Sequence, residues 1–237
     1  MSLNAFKVLS FDVVGTLIDF ERGMLNYLHQ AVPDAGISDE AFLDAYRRAR
    51  GNNNALRFPD DLVRVWSEIA REAGLPDTPE LANGYRDSVA NWPAFPDSVA
   101  ALKRLKAHFK LVAMTNAQRW ALSHFERTLD MPFDDSVTVD DAQTEKPDPV
   151  FFAFTRGRLS ARGYTQAETL HVAQSQYHDI GVARQLGYTT CWIERRKGMP
   201  GFGGTLAVPQ LTKPDYHFAT LAELADAVDA AARQSAA

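Results

Sequence analysis

The stretch that most constrains this chain is 7–17, Lys-Val-Leu-Ser-Phe-Asp-Val-Val-Gly-Thr-Leu. Val8, Leu9, Phe11 and Val13 form a nearly continuous apolar run, which suits a central parallel strand covered on both faces. The run carries a single carboxylate, Asp12, and then turns at Gly15 and Thr16. Glycine permits a sharp turn, and threonine can tie it to backbone groups. In open α/β sheets ligands bind at the carboxyl ends of the strands, so Asp12 stands where chemistry is done. An aspartate that ends a strand also caps loops, and the stretch alone leaves both readings open.

From residue 19 to residue 92 the pattern is helical throughout. One helix is expected at 21–32 with Met24, Leu25 and Leu28 on its apolar stripe. A second opens at Ser38-Asp39-Glu40 and turns Phe42, Leu43 and Tyr46 inward. A third starts at Asp60 or Asp61, repeats Leu62, Val65, Trp66 and Ile69 at helical spacing, and closes at Gly74. A fourth covers 79–91. Beyond the stiff linker 92–96 a βα alternation resumes, with strands expected at 110–114, 136–139, 169–173 and 189–193 and a last one at 216–218. Asp97 caps the helix 98–108, and further helices are expected at 119–129, 149–162 and 179–186. Such repetition implies an α/β fold with a doubly wound parallel sheet. We therefore expect a core domain of 1–18 and 93–237, with 19–92 inserted as a helical cap subdomain.

A length of 237 residues, 46% hydrophobic and 23% charged, is ordinary for a globular protein of this design. The formal net charge of −5 argues against nucleic acid or an anionic membrane as partner. The one basic run, Arg195-Arg196-Lys197, reads as a solvated loop or a substrate gate. The single cysteine, Cys191, lies in an apolar strand and fits an inert thiol in a reducing cytoplasm. No signal-peptide pattern and no apolar run near 18 residues is present, so a cytoplasmic location off the membrane is expected. Low complexity is confined to the Ala-rich tail 225–237.

Four stretches in order bear on function: Asp12-x-x-Gly15-Thr16-Leu17, Met114-Thr115-Asn116, Lys146-Pro147-Asp148-Pro149, and His171 to Asp179, which ends Tyr-His-Asp. Together, and over essentially the whole chain, they resemble the haloacid-dehalogenase-like hydrolase superfamily, whose members carry helical caps after the first strand. The resemblance implies that Asp12 is the nucleophile. Lys146 would keep it ionised, from a loop that Pro147 and Pro149 pin, and Asp179 would orient Lys146 or activate water. Thr115 and Asn116 can donate hydrogen bonds to a substrate anion or leaving group.

Two departures narrow that implication. Phosphatases of the superfamily have an acid two residues after the nucleophile, where this chain has Val14, which cannot protonate an alkoxide. Their fourth motif supplies an acidic Mg²⁺ ligand, whereas 171–176 here holds no carboxylate and would bind a hard cation poorly. The pattern therefore resembles the 2-haloacid dehalogenases, which displace halide from the α-carbon of a small carboxylic acid with neither metal nor cofactor. A side branch, which opens the strained ring of azetidine-2-carboxylate, resembles the Tyr-His-Asp ending and the 92–96 linker. There His178 or Tyr177 would protonate the leaving nitrogen.

Backbone N–H groups near Val13 and Val14, with Thr115, would hold the substrate carboxylate, and Thr16, Gln174 and Ser175 would complete the binding set. One of the cap arginines Arg47, Arg48 and Arg50 is expected at the leaving group; the sequence does not choose among them, and Arg47 is carried as the candidate. The turn at 52–54 would border the cleft, and Phe20, Trp66, Phe151 and Phe152 are candidates for an apolar wall. The expected partner is a small-molecule carboxylate, and the resemblance is compatible with a homodimer. An atypical phosphatase and a non-catalytic family member are the alternatives.

Overall fold

The computed structural model describes residues 2–51 and 56–235. After a short 3-10 turn, Leu3–Ala5, the chain enters β1 (Val8–Phe11), every residue of which is buried. Helices α1 (Phe20–Ala31), α2 (Asp39–Arg50), α3 (Leu62–Ala73) and α4 (Pro79–Asp87) follow. The core resumes with α5 (Ser98–Lys106), β2 (Lys110–Thr115), α6 (Arg119–Thr128), β3 (Asp135–Thr138), α7 (Val139–Ala142), α8 (Pro149–Ser160) and β4 (Thr169–Ala173). A π-helical turn, Gln176–Ile180, leads into α9 (Gly181–Gln185), and β5 (Thr189–Ile193), β6 (Tyr216–Phe218) and α10 (Leu221–Ser235) complete the chain. The six strands form one parallel sheet in the order β3-β2-β1-β4-β5-β6. The winding reverses between β1 and β4, and the crevice at that reversal is where open α/β sheets bind ligands.

The helical block leaves and re-enters the core through paired connections. Ile18 bridges Ala94, the Asp19 N–H donates to the Pro93 carbonyl at 2.8 Å, and the Phe95 N–H donates to the Leu17 carbonyl at 3.0 Å. Trp92 forms the joint: its ring packs on Phe58 at 5.7 Å and stacks over Phe125 of α6 at 6.4 Å. Inside the block, Trp66 meets Tyr27 and Tyr85 at centroid distances of 5.6 and 5.4 Å, so this tryptophan is core and not cavity wall.

Several local expectations need correction. β3 sits one residue early, because Asp141 accepts hydrogen bonds from both the N–H and the hydroxyl of Thr138 and so starts the short helix α7. Asp97 does not cap α5; its carboxylate takes the Arg195 guanidinium at 2.7 Å and the Ala222 N–H at 3.0 Å. Arg195 and Arg196 are not a solvated run. Arg195 lies over the Phe95 ring at 4.2 Å, and Arg196 ties the β5–β6 connection to Glu21 and Glu40 of the helical block. Phe151 and Phe152 are buried among core residues beneath the sheet. The turn expected at 52–54 lies outside the described residues.

Candidate active site

Asp12 follows β1 directly, and Gly15 adopts φ +89°, a conformation that L side chains rarely take. That turn brings Thr16 back under the carboxylate, so that its hydroxyl donates to Asp12 Oδ2 at 2.7 Å. The same hydroxyl oxygen accepts the Gln174 N–H at 2.8 Å, which ties the loop after β1 to the loop after β4.

Lys146 is buried and donates to three acceptors: Asp12 Oδ1 at 2.8 Å, the Met114 carbonyl at 2.8 Å and Asp179 Oδ1 at 2.6 Å. An ammonium has three protons, and each has an acceptor here. Asn116 fixes the lysine from behind. Its amide donates to the Lys146 carbonyl at 2.8 Å and accepts the Lys146 N–H at 2.7 Å, so this side chain holds the lysine loop from a position that also lines the cavity.

Asp179 lies in the π-helical turn, which Ser175 caps by accepting the His178 N–H at 2.9 Å. The Asp179 carboxylate is thereby left to Lys146. It also takes the His171 ring at 3.0 Å through Oδ1, while Oδ2 is buried and takes no hydrogen bond from the described residues.

These contacts separate the two carboxylates. Burial opposes ionisation of Asp179, but Lys146 and the His171 ring outweigh it and hold the group at about 2. Burial pushes Asp12 above the usual carboxylate range; Lys146 opposes the shift, the neighbouring Asp179 anion adds to it, and Thr16 opposes it in turn. Burial also disfavours charge on Lys146, but its two carboxylate partners outweigh that and raise it. His178 is pushed down to about 4, chiefly by burial, with the Lys146 and Arg50 cations adding to the effect. The ring is therefore uncharged at neutral pH and is not the imidazolium that proton donation to a leaving nitrogen would use.

Above Asp12 lies a cavity of about 490 Å³. Val14, Thr115, Lys146, Gln174, Ser175, His178 and Asp179 line it together with Phe20, Tyr46, Phe58 and Tyr177. Val13 and Thr16 are fully buried behind it. No hydrogen bond among the described residues uses the N–H of Val13 or Val14.

Arg47 does not reach the cavity, which corrects the choice among the cap arginines. It is bound to Asp44 and to the Gly203 carbonyl, and Arg48 to Asp44 and Glu72. Arg50 lines the cavity and pairs with the buried Asp61. Tyr46 and Arg50 are four residues apart and so share one face of α2, which is the face turned to the site. Among the residues of the neighbourhood that carry no assigned role in the sequence are Glu145, His171 and Thr205. Of these His171 had a signal, because a histidine inside a buried strand needs partners. Thr205 meets the Gln174 amide at 3.2 Å, and Glu145 lines the cavity beside Lys146.

A parallel sheet interrupted by helices after its first strand, with an ammonium held between the carboxylate that follows β1 and one on the π-helical turn after β4, defines a recognisable class of hydrolase. The chain belongs to the haloacid dehalogenase-like hydrolases, whose family model matches residues 6–187. Among characterised proteins it is similar to (S)-2-haloacid dehalogenase 1 of Pseudomonas sp. (strain CBS-3), with 26% identity over 204 residues, covering 81% of this chain and 86% of the relative. Among solved structures, L-2-haloacid dehalogenase from Xanthobacter autotrophicus superposes with a TM-score of 0.77 at 21% identity, covering 95% of this chain and 99% of that one. The magnesium-bound HAD-hydrolase YfnB from Bacillus subtilis superposes with a TM-score of 0.74 at 22% identity, covering 94% and 99%. The fold is thus shared with a magnesium-bound protein, and the question of a metal falls to the residues.

Proposed function

We propose that this hydrolase displaces a leaving group from the α-carbon of a small 2-substituted carboxylic acid, without a metal, through an ester on Asp12. The observation that carries the reading is the Lys146 ammonium, bonded to Asp12 Oδ1 and with all its protons committed. It favours the ionised, nucleophilic form of a carboxylate that burial would otherwise neutralise. The residues also disfavour the phosphatase alternative. Val14 offers no acid for an oxygen leaving group, and Asp179, the other carboxylate nearest Asp12, is engaged by Lys146 and His171. A hard cation would find only neutral side chains at Val14, Gln174 and Ser175.

In this reading the N–H groups of Val13 and Val14 with the Thr115 hydroxyl hold the substrate carboxylate. Arg50 replaces Arg47 as the cap cation beside the leaving group, and Thr16, Asn116 and Ser175 act by holding Asp12, Lys146 and His178 in place. Water then attacks the carboxyl carbon of the ester, where Lys146 offsets the oxyanion. A single turnover of 2-chloropropionate in H₂¹⁸O tests the mechanism. Solvent label is expected in the side chain of Asp12 and not in the released hydroxy acid; label only in the product would overturn the covalent role.

A second reading, ring opening of a cyclic amino acid such as azetidine-2-carboxylate, is favoured by one feature. The cavity lining sets two cationic side chains, Arg50 and Lys146, against four carboxylates, Asp12, Glu145, Asp148 and Asp179. A substrate that carries its own cation meets that lining better than a simple anion does. Parallel assays of halide release and of azetidine-2-carboxylate consumption separate the two.

A further inference from the structure

His171 is fully buried in β4, paired in register with Ser10 of β1 and Thr190 of β5. It plays no part in the mechanism as given above. Its ring contacts are specific: Nε2 lies 3.0 Å from Asp179 Oδ1, and Nδ1 lies 3.0 Å from the Ser10 hydroxyl. The edge of Phe152 closes on it with ring centroids 5.5 Å apart and planes at 77°. An ionised carboxylate only accepts hydrogen bonds, so Nε2 carries a proton, and in the neutral ring Nδ1 then accepts from the Ser10 hydroxyl. Ser10 thereby selects the tautomer and aims the ring, as outer partners do for histidines that hold a metal.

Asp179 Oδ1 therefore has two donors, Lys146 and His171, which approach from different elements. A carboxylate gripped this way cannot rotate to exchange its oxygens. Its other oxygen, Oδ2, is buried without a hydrogen bond from the described residues, on a side chain that lines the cavity. A buried acceptor without a partner calls for a function.

We infer that Ser10 and His171 are positioning residues for the second half of the reaction, fixing the Asp179 carboxylate so that Oδ2 receives the hydrolytic water. The inference rests on the ester mechanism proposed above. Once the ester has formed, a water hydrogen-bonded to Asp179 Oδ2 attacks the Asp12 carboxyl carbon, and the bond from that carbon to the substrate oxygen breaks. Of the two water protons, one passes by way of Oδ2 to the departing oxygen and completes the hydroxy acid. The other leaves to solvent as Asp12 regains its charge. The first half-reaction uses Asp12, Lys146 and the groups that hold substrate and leaving group, none of which the His171 ring touches, so loss of His171 slows hydrolysis of the ester and spares its formation.

The test follows 2-chloropropionate with wild type, His171→Leu, His171→Gln and Ser10→Ala, reading chloride release by stopped flow and the ester by intact-protein mass. For His171→Leu a burst of one equivalent of chloride is expected, followed by a steady rate at least about tenfold slower, with the protein mostly in its ester form and KM lowered with kcat. Glutamine can present its amide N–H near the position of Nε2, so His171→Gln should hydrolyse the ester faster than His171→Leu. Ser10→Ala should fall in between, and it supplies the comparison if the leucine variant does not fold. A merely structural role lowers both half-reactions together, so slow turnover without accumulated ester overturns the inference while leaving the ester mechanism intact. A wild-type protein that never forms an ester at Asp12 overturns the proposed function and this inference with it.

Discussion

Replacing Lys146 by methionine keeps the volume and removes the charge, so it isolates what the ammonium does. In the wild type this ammonium lies 2.8 Å from Asp12 Oδ1 and 2.6 Å from Asp179 Oδ1, all three side chains being buried. Without it two carboxylates face each other with no cation between them, and breaking a buried pair in this way costs about 3–5 kcal/mol. An independent bound comes from protonation. The variant escapes the repulsion by neutralising one carboxyl, and holding a proton at pH 7 on a group with an ordinary value near ~3.9 costs about 4 kcal/mol. The two figures agree, so a loss of about 4 kcal/mol at pH 7 is expected. The sign with pH is definite. A carboxyl whose folded value is raised withdraws stability as pH rises through the window above its unfolded value; without Lys146 the carboxyl is raised further than Asp12 is in the wild type, so the deficit shrinks as pH falls from 7 to 5. Urea unfolding of both proteins at pH 5 and pH 7 measures it. A deficit below about 1 kcal/mol at pH 7, or one equal at the two pH values, would refute the electrostatic account of the site.

Turnover should survive EDTA and gain nothing from Mg²⁺; activation by Mg²⁺ that EDTA reverses would return the reading to a phosphatase. Arg47→Gln should leave kcat/KM within about threefold of wild type, whereas Arg50→Gln should lower it by about tenfold or more, since only Arg50 lines the cavity. The reverse order would restore Arg47 to the site. Asp12→Asn should abolish turnover yet melt above the wild type at pH 8, with the advantage fading at acid pH; mass spectrometry must confirm that the asparagine has not deamidated.

How much of this was legible in the sequence depended on whether the signal was local. The strand carrying Asp12 announced itself, because an apolar run of this kind and a glycine turn are decided within a few residues. The match of Lys146 and Asp179 to Asp12 came from motif order, which the fold then explains by bringing three loops to one end of the sheet. Direction was another matter. Nothing within α2 says which arginine faces the cavity, because that depends on how the helical block docks on the core, and Arg47 was the wrong choice. Asn116 was chosen as a hydrogen-bond donor, which it is, but its partner is the Lys146 backbone. The same holds for Arg195 and Arg196, whose carboxylate partners lie far away in the chain and turn an apparent solvated run into a tie between core and cap. Side-chain chemistry is written locally, whereas its partners are fixed by tertiary packing.

The excess charge in this cluster gives its chemistry a direction. Asp12, Lys146 and Asp179 together carry one more negative charge than positive, in a place where water is scarce. Asp179, with two donors on Oδ1, holds its charge firmly at about 2, so the strain of the uncompensated anion falls on Asp12, which is raised. When environments push two carboxyls apart, their roles follow from the order. The raised carboxylate is the more basic and the better nucleophile, while the lowered one is charged in the resting site and can orient water and relay its proton without competing for the substrate. Forming the proposed ester would remove the charge on Asp12 and leave Lys146 and Asp179 as a balanced pair. In the proposed mechanism alkylation of Asp12 therefore relieves a cost that the free protein carries, and substituting asparagine for Asp12 relieves the same cost without any chemistry. Because Asp12 is raised in the fold, the wild type loses stability as pH climbs through that raised value, and the asparagine variant, which has nothing to titrate there, does not.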